Sequence, residues 1–187
     1  MIRADPVLMA IFETPTPTGT PPAPAPERVA GVLARTVGPC LRHDRHGAGE
    51  ITACVAMGPA GVYVILPWQD DGKVAKRVVG GRRQPDERLY VGTRDRTDLL
   101  DVVDAQVGHT AAVLGRHGLD AVPVFGVLCL VGTRWPLFGS RALRFRGATA
   151  LWPDELAGHV RRPGRLDAAV VVAASGALTG ALHADRA

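Results

Sequence analysis

The chain runs to 187 residues, 47% of them apolar, with 22 basic residues against 18 acidic ones and a formal charge of +4. That apolar content suits one packed domain and excludes a predominantly disordered chain. The modest positive balance permits contact with a polyanion without requiring it, and with only Lys73 and Lys76 as lysines the surplus is almost all arginine.

In chain order, "VLMAIF" near the N-terminus is too short for a signal-peptide core or a membrane span. The proline-rich stretch "TPTPTGTPPAPAP", Thr14 to Pro26, is incompatible with helix or sheet. It divides the chain into a flexible arm, residues 1–26, and a domain, residues 27–187. "ERVAGVLARTV" spaces Val29, Val32, Leu33 and Val37 as one face of a first helix. "PCLRHDR" reads as a short strand. "ITACVAM" and "GVYVIL" follow as two strands around Gly58-Pro59-Ala60-Gly61, with proline and glycine where a type I turn favours them. The unbroken apolar run Val62 to Leu66 predicts a strand covered on both faces.

The next stretch, Gln69 to Arg96, reads as a polar connecting region rich in basic side chains. A long amphipathic helix is predicted over Asp95 to Gly118. Its shared face carries Leu99, Val102, Val103, Gln106, Val107 and Thr110, and Gly118 is its stop. "VPVFGVLCLVG" is a further buried strand. "LRFRGATALW" and "PDELAGHV" suggest short strands and one more helix, and the alanine-rich Leu166 to Leu182 a terminal helix. The order helix, three strands, helix, strand predicts an α/β sandwich with a mixed central sheet flanked by helices. Three widely spaced cysteines, Cys40, Cys54 and Cys129, form no CxxC pair, which argues against a disulfide framework and fits a cytoplasmic protein with no membrane partner.

Four segments in order, "MGPAGVYVI", "LYVGTRDRTDLLDVVDAQV", "VPVFGVLCLVGTRWPLFG" and "LWPDEL", resemble the nuclease-related domain (NERD) family in its actinobacterial versions. The likeness covers Glu27 to Leu182. It implies the restriction-endonuclease-like, PD-(D/E)xK three-layer sandwich, whose core follows the element order read above. Active members of that fold hold Mg²⁺ on carboxylates, and the metal activates water while a lysine steadies the phosphate.

Carried over residue by residue, the family's first-strand aspartate falls at Ala53 and its histidine at Cys54. The carboxylate-x-lysine element falls at Leu66-Pro67-Trp68, so leucine stands for the acid and tryptophan for the lysine. The family's helix glutamate and glutamine map to Glu27 and Gln106, which remain. Losing both carboxylates with the lysine removes the metal centre, so the resemblance implies a catalytically degenerate, non-cleaving member with no cofactor.

The rival enzyme reading rebuilds a Mg²⁺ site from Glu27, Glu50 and Asp70, whereas the plainer reading makes Asp70 part of a solvated strand exit. Cys40, His43, His46 and Cys54 offer zinc-type ligands but lack finger spacing, so no metal is assigned to them. Lys73, Lys76, Arg77, Arg82, Arg83, Arg88, Arg94 and Arg96 are candidates for contact with DNA or another nucleic acid, or else a solvated charged face. Trp68 either stacks on a ligand or fills the space of the lost polar site. Three functions are therefore expected to compete: a nucleic-acid-binding or scaffolding module, a metal-dependent nuclease with displaced carboxylates, and a module that assembles with a protein partner.

Overall fold

A computed structural model describes residues 24–36, 41–45, 51–80, 86–135 and 141–184. The proposed arm at residues 1–26 falls almost wholly outside them, and so do Cys40, His46, Glu50, Arg82 and Arg83. The elements, in order, are α1 (Ala25–Thr36), β1 (Leu41–Arg45), β2 (Ile51–Gly58), β3 (Gly61–Gln69), β4 (Val74–Val79), β5 (Asp86–Val91) and β6 (Arg94–Asp95). They continue with α2 (Asp98–Arg116), β7 (Val124–Val131), β8 (Ala142–Arg144), β9 (Ala148–Leu151), α3 (Pro153–Val160) and α4 (Ala168–Ala184).

The main sheet has six strands in the order β1-β2-β3-β7-β9-β8. β1, β2 and β3 run antiparallel, β3, β7 and β9 are parallel, and β8 closes the far edge antiparallel to β9. It is thus a mixed sheet, and helices cover both faces. Ala25, Val29 and Leu33 of α1 and Leu156 and Val160 of α3 pack with Cys54, Tyr63, Ile65, Val127 and Cys129 on one face. On the other, Leu99, Leu100 and Val103 of α2 meet Leu66, Leu128 and Leu130. Farther along that face, Val113 and Leu114 meet Val55, Val62, Ala174 and Leu178. Period-two alternation along β3 therefore feeds both cores, which explains why its residues are apolar on both sides.

α1 begins two residues before Glu27, inside the proline-rich stretch. Pro26 sits in its first turn, where a missing N–H costs no helical hydrogen bond. Gly126 of β7 is required by close approach. A Cβ there would lie 2.6 Å from Val103 Cγ1 and 2.8 Å from the Gly147 carbonyl, so glycine lets α2 settle onto the sheet. Gly147, at φ +82°, makes the turn between β8 and β9 beneath Asp104.

One expectation needs correcting. The polar stretch after Gln69 is not merely a connection: β4, β5 and β6 form a separate three-stranded antiparallel sheet. Val74, Leu89 and Val91 are buried against Leu66, Leu99 and Leu130. Only a few of its side chains need burial because one face is solvated, so charged neighbours mask the alternation. The backbone hydrogen bond Val74 N to Arg134 O (2.9 Å) joins this sheet to the segment after β7, which Arg134 N to Gly72 O (2.7 Å) and Asp70 N to Val131 O (3.1 Å) hold against the exit of β3. Among the described residues no helix is long and apolar enough to cross a membrane.

Candidate functional site

The register of β2 and β3 sets Cys54 opposite Ile65, both facing α1. Ala53 and Leu66, one residue farther along each strand, therefore point to the opposite face, toward α2. Leu66 and Trp68 belong to the apolar cluster under α2, and β7 sets Leu128 and Leu130 beside them. Ala53 is 2% exposed and Leu66 1% exposed. A methyl, an isobutyl and an indole group offer no oxygen to a hard cation, so these residues do not fit a Mg²⁺ centre of the kind expected only in active members of that fold. Packed apolar groups in place of buried charges avoid a desolvation cost of several kcal/mol per ion.

Trp68 retains one polar feature: its Nε1 is buried without a hydrogen-bond partner among the described residues. The Arg96 guanidinium stands 5.8 Å from the centroid of the Trp68 ring and roofs it. Gln106 is buried on the inner side of α2, on the face that also carries Val103 and Thr110. Its backbone carbonyl accepts a 2.8 Å hydrogen bond from Thr110 Oγ1.

Glu27 stands elsewhere. It is an exposed residue in the first turn of α1, and α1 lies across the sheet from Leu66 and Trp68. Asp70 corrects the expectation of a solvated strand exit. Its carboxylate is 2% exposed and takes hydrogen bonds from Arg96 Nε at 2.7 Å, Arg94 Nη1 at 3.0 Å and the Asp71 amide at 2.9 Å. Burial alone would raise its pKa. The Arg96 and Asp71 hydrogen bonds and the charges of Arg96 and Arg94 outweigh burial and hold the carboxyl below its ordinary value. Both oxygens thus serve internal donors. Among the described residues, no group of three or more histidine, cysteine or acidic side chains is placed to hold a metal ion.

The basic candidates separate into engaged and open groups. Lys76 Nζ pairs with Glu87 at 2.7 Å, donates to the Arg144 carbonyl at 2.6 Å and lies over Phe145. Arg88 bridges Asp86 and Asp95, and Arg96 is spent on Asp70. Arg94 is 59% exposed but shared between Asp70 and Asp71. Lys73 and Arg77 are exposed, and Arg77 stacks over Tyr90 at 4.3 Å. Among the described candidates, Lys76 and Arg88 thus find counter-charges within the small sheet, and Arg94 and Arg96 find theirs at the exit of β3.

Sequence reading missed two features. His159 of α3 is buried edge-on to Tyr63, with ring centroids 5.8 Å apart. Burial, then the charges of Arg162 and Arg144, push its pKa down to about 4. The second is a groove of about 960 Å³ between the small sheet, the first turns of α2 and the β8–β9 turn. Its walls come from three distant segments, so no local motif announces it. No protein-family model, curated protein or solved structure matches the chain.

Proposed function

We propose that this chain is a non-cleaving protein built on the nuclease-related, restriction-endonuclease-like plan, acting as a binding or scaffolding module. The observation that carries this reading is the packed α2-facing surface of β2 and β3. Ala53 and Leu66 are buried there, and Trp68 packs with Leu66 in one apolar cluster. Hydrolysis of a phosphodiester on this plan requires two carboxylates to hold the metal and a nearby cation. Asp70, a candidate for a displaced carboxylate, is committed to Arg94 and Arg96.

Incubation of supercoiled plasmid with the full chain and Mg²⁺ or Mn²⁺ tests the proposal. The expected result is no nicking above a protein-free control. Nicking that is abolished by a chelator and by Asp70→Asn would establish the displaced-site nuclease instead.

Lys73 and Arg77 favour a second reading, contact with nucleic acid, because they are exposed and have no carboxylate partner among the described residues. That contact should weaken steeply with salt and fall when Lys73, Arg77, Arg82 and Arg83 are neutralised. Absence of binding to duplex and single-stranded DNA at low salt removes it.

A further inference from the structure

The groove beside α2 has walls of opposite sign. Asp101 and Asp104 project from α2 on one side, and Arg144 and Arg146 rise from the β8–β9 turn on the other, with Leu100 and Phe145 between them. No side-chain hydrogen bond or ion pair joins any of these four charged groups to another described residue. The contrast with the adjoining wall is sharp, since Lys76 and Glu87 neutralise one another there. Asp101 and Asp104, three residues apart on a helix, repel each other, and a ligand cation would relieve that repulsion. The arginines offer planar forks suited to carboxylates.

We infer that this groove binds a polypeptide partner through a segment carrying both acidic and basic side chains. Its cations lie on Asp101 and Asp104 and its carboxylates on Arg144 and Arg146, while the buried Leu100 and Phe145 form the floor between the two walls. A polyanion fits poorly, because Asp86, Glu87, Asp101 and Asp104 line the same space. Opposed walls fix which side of the bound segment carries each charge, which confers specificity beyond raw affinity. The inference deepens the scaffolding reading and rests on it.

The test is fluorescence anisotropy with the full chain at low salt. The probes are a short labelled peptide alternating lysine and glutamate, all-lysine and all-glutamate peptides of the same length, and duplex DNA. The alternating peptide should bind tightest. Its affinity should fall about tenfold in both Asp101→Asn/Asp104→Asn and Arg144→Gln/Arg146→Gln, each double change removing one wall. With the unaltered protein, the same peptide should shift the backbone amide resonances of Asp101, Asp104, Arg144 and Arg146, a readout that does not depend on the variants folding. Absence of binding, shifts confined to other residues, equal affinity for a single-sign peptide or for DNA, or unchanged affinity in both double variants would each overturn the inference. Plasmid nicking would defeat the non-cleaving reading separately, since the peptide titration reports only on the groove.

Discussion

Arg96 and Asp70, twenty-six positions apart, are joined by a 2.7 Å hydrogen bond from Nε to Oδ2. The same guanidinium stands over the Trp68 ring, so one side chain ties the start of α2 to the end of β3. The contact makes Asp70 a structural anchor rather than a free acid.

Asp70→Asn should cost about 2 kcal/mol, the range for a hydrogen bond to a charged group whose partner stays behind. Arg96→Gln should cost a similar amount. Arg94→Gln, at a 59% exposed side chain, should cost under about 1 kcal/mol. Because the folded-state pKa of Asp70 is depressed, its contribution is complete above the unfolded value and is lost as pH falls through the folded one. Urea titrations at neutral pH and below about pH 4 should therefore show the gap between wild type and Asp70→Asn closing in acid.

His159 should govern a different window. Its pKa drops from 6.5 to about 4 on folding, so the folded protein keeps it neutral where the unfolded chain takes up a proton. The associated stability, roughly 3 kcal/mol, is present above pH 6.5 and declines as pH falls toward 4. Denaturation across that range should show a slope in wild type that His159→Phe largely removes. An unchanged slope would locate the titrating group elsewhere.

Gly126→Ala should destabilise by about 1–3 kcal/mol, since the added methyl collides with Val103 and with the Gly147 backbone, and overpacking costs energy even when the change is small. Gly108→Ala, on α2 with nothing near its added methyl, should be neutral or stabilising by up to about 1 kcal/mol. Thermal melts of the pair separate steric crowding at the sheet from an effect common to any glycine replacement.

Cys54 and Cys129 should resist alkylation in the native protein and react after unfolding, as read by peptide mass spectrometry. Both are buried. Burial, reinforced by the charge of Asp154, pushes the Cys129 thiol up to about 12, leaving little thiolate at neutral pH. Rapid native labelling of either would mean that the core under α1 opens readily.

Apolar periodicity and turn chemistry in the sequence were sufficient to locate α1, the β2–β3 hairpin, α2 and β7, because each buries a regular stripe against its neighbours. The apolar character of Ala53, Leu66 and Trp68 was legible too, since a side chain's capacity to ligate a metal is fixed by its chemistry. The tertiary structure decided the rest. It made a second sheet of the charged stretch, because the burial of Val74, Leu89 and Val91 depends on surfaces supplied by β3, β7 and α2. It set Glu27 across the sheet from Leu66, and it turned Asp70 from a solvated acid into a clamped one. Charge pairing acts between atoms a few ångströms apart, and the fold, not distance along the chain, determines which atoms those are.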